Sequence, residues 1–521
     1  MPRYRTVPSL QTLSLKAIGS LIESLHPIVI YNIAVHSDSQ RMIGDLQRQL
    51  DFISRHLVSH VPFYLWDKMA VDVLEAVTKI VEGTRKRYRQ TAPISHFLTE
   101  MTIVLSMAEV VMTPLLKHID FSMWPKMMRY ILFKNLNKAH NLEHLNLGSC
   151  TGAWRSSEND RLLITSISHM RNLKFLCLCF DCTDTIIQAV SENCPNIQSL
   201  DVTSSKSVTD RSIQSLSACQ QLTELLILQT SISIQGLAEI ITNLPQLQNI
   251  GKCDDFSKLL TYFRETGFVA QLPLKKVHTK DMCNANMHTL VNTFPNLESF
   301  SLFLNDEEIV DLRILIALNN LRELKILSGA FYAHFLGDTL EARGSILEIL
   351  YLEQMEEMDI NVVIIISRCC PNLKQLVVYN CDFRDSNTNA LQYKKFKIPP
   401  FVSLEKLTWI VDGGLNILEF LLMNAFNLKS LYLGSSTGIN HASVVNIWHT
   451  NPFRHLEELK ILYSNDMNMR TVQLILASCP NLKSLSVLEG WQGIQTAELQ
   501  DFRNHITSVN LDLDLRPTLS L

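Results

Sequence analysis

The sequence has little glycine and no long block of one charge. Only 17 of its 521 residues are glycine, which leaves few flexible loops of the kind that cradle phosphate groups. Lysine and arginine number 47 against 51 aspartate and glutamate residues, without the basic field typical of a nucleic-acid-binding protein. The short basic patch Arg85–Arg89 is interpreted as part of a solvated linker. These absences disfavour phosphate and nucleic-acid binding.

Long hydrophobic runs and several catalytic motifs are also missing. The nearest apolar run, Met101 to Leu116, is shorter than the roughly 20 residues that span a bilayer, and it contains Glu109. No P-loop, HExxH or GxGxxG pattern occurs. We therefore expect a soluble, non-catalytic protein that needs no cofactor and contacts no membrane. Its expected location is the cytoplasm, with a nuclear pool left open.

The 12 cysteines are interpreted as small buried residues at fixed positions of a repeat. Three of them stand directly before a Pro-Asn pair: Cys194, Cys370 and Cys479. Cys177, Cys179 and Cys182 could be drawn as a thiolate cluster for zinc, but no second Cys/His pair stands at a suitable spacing. The sequence therefore predicts no metal site.

Leucine is abundant and periodic, at 78 of 521 residues. One six-residue phrase recurs. It consists, in order, of a leucine, two variable residues, a second leucine, one variable residue and an apolar residue. An example is Leu142-Glu-His-Leu145-Asn-Leu147. Most steps are about 24–28 residues, inside the range of leucine-rich repeats. With an upstream copy at Leu116 and a weak one at Leu274, roughly fifteen units run to the C-terminus.

The phrase predicts a strand whose leucines face a core. Leu145 and Leu147 would point inward while His144 and Asn146 point outward, because side chains alternate along a strand. Helical spacing of apolar residues follows each phrase. We therefore predict an α/β leucine-rich-repeat solenoid, with a curved parallel sheet, outer helices and a preceding helical docking segment. The predicted domains are 1–80 for docking, 81–110 for a linker and N-terminal cap, and 111–521 for the solenoid.

Two helical patterns precede the repeats. The stretch from Ser9 places Leu10, Ser14 and Ile18 on one helical face and resembles the elongin-binding box. The stretch from Val61 to Met69 resembles the cullin-2-type box that follows it in that class of protein. The order of elongin box, cullin box and repeats is similar to that of the zyg-eleven family of ubiquitin-ligase substrate receptors.

This resemblance implies a set of partners and contact residues. Leu10 would insert into a pocket of elongin C, Ser14 would allow close helix approach, and Ile18 would extend the apolar contact. Ser14 departs from the family, which usually has cysteine there. The cullin-2 contacts would be Val61, Pro62, Leu65 and Met69. The expected function is substrate recognition for an elongin B/C–cullin-2 ubiquitin ligase.

Two alternatives stay open at this stage. Val61-Pro62-Phe-Tyr-Leu65 also resembles the start of an F-box, which would bind a different adaptor and cullin-1. In a third interpretation the protein is a stand-alone scaffold whose N-terminal helices cap the first repeat. The unknown target protein is predicted to bind outward positions of the repeat strands, where aromatic and mixed-charge residues occur. These positions are Tyr351, Thr408, Tyr432 and Lys460.

Overall fold

The computed structural model describes residues 2–35, 39–88, 94–149, 157–305, 308–384 and 399–516. The chain divides into two compact units. The N-terminal unit is Pro8–Gly251, and the C-terminal unit is Lys252–Leu521 together with Met1–Val7. None of the described helices is long and apolar enough to cross a membrane.

The N-terminal unit begins with helices. They are α1 (Leu10–Val35), α2 (Ser39–His60), α3 (Trp66–Tyr88) and α4 (Ile94–Met107). Residues 81–88, at the start of the segment predicted as linker and N-terminal cap, continue α3. They are held in the fold because Glu100 of α4 accepts hydrogen bonds from Thr84 Oγ1 (3.0 Å) and Arg87 Nη2 (2.6 Å). The last residue of the basic patch, Arg89, lies outside the described residues.

Repeats follow in the same unit, each with a strand and a helix. The strands are β1 (His118–Asp120), β2 (His144–Ser149), β3 (Phe175–Cys179), β4 (Ser199–Asp201), β5 (Glu224–Leu226) and β6 (Asn249–Lys252). The helices are α5 (Lys126–Lys134), α6 (Ser157–Ile167), α7 (Asp184–Asn193), α8 (Ile213–Ala218) and α9 (Ile234–Asn243). These strands are parallel and pair in chain order.

The C-terminal unit repeats this pattern. Its strands are β7 (Lys276–Lys280), β8 (Ser299–Phe303), β9 (Glu323–Ala330), β10 (Ile349–Glu356), β11 (Gln375–Tyr379), β12 (Lys406–Ile410), β13 (Ser430–Leu433), β14 (Glu458–Ile461) and β15 (Ser484–Ser486). Its helices are α10 (Phe256–Glu265), α11 (Asn284–Thr293), α12 (Leu336–Arg343), α13 (Ile360–Cys369), α14 (Leu415–Asn424), α15 (His441–Thr450), α16 (Met469–Ser478) and α17 (Thr496–Ser508). A 3₁₀ helix, Leu312–Ala317, lies between β8 and β9.

The leucines of the repeat phrase form the core as predicted. Leu350, Leu376 and Leu407 occupy equivalent positions on β10, β11 and β12, pair in register and are at most 1% exposed. Burying each such side chain stabilises the fold by roughly 1.5–3 kcal/mol. The described residues contain fifteen parallel strands, in agreement with the predicted number of repeats. Both the α/β leucine-rich-repeat solenoid and its helical N-terminal segment are confirmed.

The cysteines before Pro-Asn end helices. Cys194, Cys370 and Cys479 follow α7, α13 and α16, and each backbone N–H donates to the carbonyl four residues earlier (2.9 Å in all three). Their side chains are buried, where a small thiol fits between adjacent repeats. The asparagine two residues later donates to a carbonyl of the preceding repeat, as Asn372 does to Ser345 (2.8 Å). These residues are structural parts of the repeat.

Charges alternate in sign along the edge of the sheet where the strands begin. The position directly after the first leucine of each phrase in the C-terminal unit is Lys275, Glu298, Arg322, Glu348, Lys374, Glu405, Lys429, Glu457 and Lys483. Glu348, for example, binds Arg322 (2.8 Å) on one side and Lys374 (2.6 Å) on the other. We call this row the charge ladder. The N-terminal unit has a short version in which Glu143 binds Lys117 (2.8 Å) and Lys174 (2.7 Å).

The last strand of the C-terminal unit is covered by both ends of the chain. Asp514 pairs with Ser484 of β15, and the Asp512 N–H donates to the carbonyl of Arg3 (2.7 Å). Arg3 Nη2 also donates to Asn481 Oδ1 (2.9 Å). The Leu485 N–H of β15 donates to the Asp514 carbonyl (2.9 Å), which satisfies a backbone group that an open strand edge would leave free.

Candidate protein-binding surfaces

Helix α1 has one face packed inside the N-terminal unit. Leu15, Gly19, Ile22 and His26 recur at three- and four-residue spacing and are buried. A Cβ on Gly19 would lie 3.0 Å from the Asp72 carbonyl oxygen of α3, so glycine permits the close approach of the two helices. This inner face fixes the position of α1 without using the residues of the predicted elongin box.

The opposite face of α1 carries the predicted elongin-box residues. Leu10 is 80% exposed and Ser14 is exposed, while Ile18 at the margin is half-buried. Leu13 and Leu21 are also exposed, at 46% and 51%. We call these five residues the α1 outer face. Leu13 and Leu21 were missed as site residues, although the same helical spacing could have identified them.

The predicted cullin-box residues are divided between surface and core. Pro62 is exposed, whereas Val61 and Leu65 are half-buried. Met69 is fully buried at 0% exposure, on the face of α3 that packs against the unit's own core. The prediction of Met69 as a cullin contact is therefore corrected, since the residue is inaccessible in this fold.

Two aromatic residues beside Pro62 were not predicted as site residues. Phe63 and Tyr64 are each 68% exposed, and their rings contact edge to face with centroids 5.7 Å apart. Exposed aromatic side chains are enriched at the centres of protein interfaces. The signal available in the sequence was the aromatic pair directly after the helix-opening proline.

The predicted target-binding residues lie in one row across the C-terminal unit. Strand register aligns Tyr351 with Val377, Val377 with Thr408, Thr408 with Tyr432, and Tyr432 with Lys460. The row continues in both directions on the face of the sheet that points away from the leucine core, where Ser301, Val377 and Ser486 are buried and the other members are half-buried. We call it the central row, and its members are His278, Ser301, Lys325, Tyr351, Val377, Thr408, Tyr432, Lys460 and Ser486.

Side chains of the central row are ordered by local contacts. The Lys460 ammonium lies 4.3 Å from the centroid of the Tyr432 ring, a cation–π contact. The Tyr351 hydroxyl donates to Glu353 Oε2 (2.8 Å). Burial and the Glu353 carboxylate raise the pKa of Tyr351, so its hydroxyl stays a hydrogen-bond donor at neutral pH. The central row thus combines aromatic side chains with few charged ones. This composition is typical of the core of a protein–protein interface.

The segment Gly434-Ser-Ser436-Thr-Gly438 matches the Gly-x-Ser-x-Gly pattern that surrounds the nucleophilic serine of many hydrolases. The segment follows β13 and precedes α15. The nearest histidine in sequence, His441, directs its Nδ1 to Thr471 Oγ1 (2.8 Å) instead. The pattern here belongs to a repeat loop that connects strand and helix.

Comparison with known proteins gives distant structural likenesses. No family model matches the chain, and no curated protein matches it in sequence. A leucine-rich-repeat protein of Leptospira interrogans is 13% identical over 78% of this chain and 91% of its own, with a TM-score of 0.34. The yeast complex of Rad7 and Elc1 includes a chain 14% identical over 71% of this chain and 90% of its own, with a TM-score of 0.39. The TLR13–ssRNA13 complex gives 17% identity, 77% and 60% coverage, and a TM-score of 0.30.

Proposed function

We propose that this chain is the non-catalytic substrate-recognition subunit of a cullin-based ubiquitin ligase. In this proposal the α1 outer face binds elongin B/C, and the segment around Pro62 binds cullin-2. The central row of the C-terminal unit holds the target protein. The observation that carries the proposal is the exposure of Leu10, which is 80% accessible on a helix whose inner face is already packed.

The stand-alone scaffold interpretation fits the side-chain positions less well. A stand-alone scaffold with capping helices would bury Leu10 against its own first repeat, yet Leu10 is exposed. The cap is made instead by α3, whose Trp66 is fully buried and donates from Nε1 to the Val111 carbonyl (3.2 Å). Leu65, which both the F-box version and the cullin-2 version would use as a contact, is half-buried, so its burial does not separate these two versions and the adaptor pull-down must do so.

A pull-down with purified full-length protein tests the proposal. The wild type should capture elongin B/C, and the double variant Leu10→Ala, Ile18→Ala should bind at least tenfold more weakly. Leu98→Ala is the matched control, since Leu98 is a 55% exposed helical leucine outside the α1 outer face. Circular dichroism of each variant verifies folding.

The same assay distinguishes the alternatives. Capture of the F-box adaptor that is lost in Pro62→Ala, Leu65→Ala would support the cullin-1 version and overturn the elongin version. A wild-type protein that captures neither adaptor would overturn both ligase versions and leave the scaffold interpretation.

A further inference from the structure

Two thiols and one carboxylate meet in the N-terminal unit, on the face of the sheet that points away from the leucine core. Cys177 and Cys179 lie two residues apart on β3, and Asp201 stands opposite Cys177 on β4. The two Sγ atoms are 3.5 Å apart, and each lies 3.5 Å from Asp201 Oδ2. Cys182, the third cysteine of the motif considered from sequence, is fully buried and directs its Sγ to the Thr183 carbonyl (3.8 Å).

The carboxylate is oriented by a neighbouring threonine. Asp201 Oδ1 accepts hydrogen bonds from the Thr203 backbone N–H (3.0 Å) and from Thr203 Oγ1 (2.6 Å). These bonds turn the other oxygen, Oδ2, toward both sulfurs. Partners of this kind fix ligand orientation in metal sites. In the part of the chain that the structure describes, no other group of three His, Cys, Asp or Glu side chains brings its ligand atoms this close together.

The two sulfurs and Asp201 Oδ2 are spaced like three of the four ligand atoms around a tetrahedral zinc ion. With Zn–S near 2.3 Å and Zn–O near 2.0 Å, tetrahedral ligands place two sulfurs roughly 3.8 Å apart and a sulfur and an oxygen roughly 3.5 Å apart. Cys177 is 7% exposed, while Cys179 and Asp201 are half-buried, so the group is in contact with solvent through Cys179 and Asp201.

We propose that Cys177, Cys179 and Asp201 bind a borderline-soft divalent cation, with zinc as the natural candidate. The ion would accept both sulfurs and Asp201 Oδ2 as ligands and a water in the fourth position. Binding would release the two thiol protons to solvent and leave two thiolates and one carboxylate around the ion. Thiolate ligands disfavour the hard cations Mg²⁺ and Ca²⁺. The proposal is independent of any ubiquitin-ligase subunit.

Titration of the reduced, metal-free full-length protein with Co²⁺ tests the site. Thiolate ligation gives a charge-transfer absorption in the near ultraviolet, which should saturate at one equivalent and disappear when Zn²⁺ displaces the cobalt. Cys177→Ser and Cys179→Ser should each weaken Co²⁺ binding at least tenfold. Thr203→Val, which removes only the orienting hydroxyl, should weaken it about 10- to 100-fold.

Cys369→Ser is the control, because Cys369 is a half-buried free thiol outside the cluster, and it should leave the titration unchanged. Thermal unfolding verifies that each variant is folded. A charge-transfer band that is absent from the wild type, or that persists in both Cys177→Ser and Cys179→Ser, overturns the proposal. The proposal is also overturned if protein purified without reductant contains a Cys177–Cys179 disulfide and the reduced protein then takes up no cobalt.

Discussion

Asp67 Oδ1 accepts a hydrogen bond from the backbone N–H of Lys117 at 2.9 Å, where α3 meets the first strand of the sheet. The same oxygen also accepts a hydrogen bond from the backbone N–H of His118 (3.3 Å), and Asp67 Oδ2 lies 2.8 Å from the ring nitrogen Nδ1 of His118. Strand β1 pairs with β2 on its other side. One carboxylate thus satisfies backbone groups of the first strand that no preceding repeat could bind.

Replacing this carboxylate should destabilise the N-terminal unit. Asp67→Ala removes the acceptor of two solvent-exposed backbone hydrogen bonds, and we expect a loss of about 0.5–1.5 kcal/mol in the free energy of unfolding, since water can partly replace the carboxylate. Amide hydrogen exchange at residues 117–120 should accelerate with it. Asp51→Ala, an exposed change on α2, should alter neither quantity, and equal effects of the two variants would contradict the capping role.

The short N-terminal version of the charge ladder, centred on Glu143, should contribute to stability in a defined pH range. Hydrogen bonds from Lys117 and Lys174 lower the pKa of Glu143 to about 2. A carboxyl whose pKa is lower in the folded state stabilises that state above its unfolded pKa, and the contribution disappears as pH falls through the folded value.

The difference in thermal midpoint between wild type and Glu143→Gln should therefore be small and constant near neutral pH, since exposed ion pairs are screened. It should shrink as the pH falls from about 4.5 towards 2. A difference that grows over that range would show that the carboxylate does not stabilise the folded state.

Replacement by alanine should change the stability of the protein in opposite directions at two glycines. A Cβ on Gly490, in the turn after β15, would lie 2.0 Å from the Leu462 carbonyl oxygen, whereas a Cβ on Gly83 in α3 meets nothing within 4 Å. Gly490→Ala should cost about 1–3 kcal/mol through overpacking, while Gly83→Ala should stabilise by about 0.5–1 kcal/mol. Denaturant midpoints of both variants check this, and similar shifts of one sign would contradict it.

The central row should determine which target is captured. Tyr351→Ala and Tyr432→Ala remove large aromatic contacts, so affinity capture with mass spectrometry should lose the target proteins while elongin B/C is retained. Tyr463→Ala is the matched control, since Tyr463 is a 38% exposed tyrosine outside the row. A target that survives both row variants would place its binding site elsewhere.

Much of the repeat architecture could be predicted because each phrase repeats one local physical requirement. The weak copy at Leu274 became β7 and the upstream copy at Leu116 led into β1, since alternation of apolar residues is enough to specify a strand. Met69 and Leu65 could not be assigned in the same way. A helix with apolar residues on several sides does not indicate which side its neighbours will cover.

The cysteine cluster shows a second limit of sequence spacing. Asp201 is 22 residues beyond Cys179 in the chain, so no short motif joins them. Strand register brings them together, because equivalent positions of successive repeats become neighbours in a parallel sheet. A search for ligands one repeat apart, rather than within a few residues, would have found the group.

The charge ladder has a consequence for how this array can change length. Removing one internal repeat from the C-terminal unit would set two like charges side by side, for example Glu348 beside Glu405 if the repeat of Lys374 were lost. Removing two adjacent repeats would preserve the alternation. The smallest duplication or loss that keeps every neighbouring pair of the ladder oppositely charged is therefore a pair of repeats.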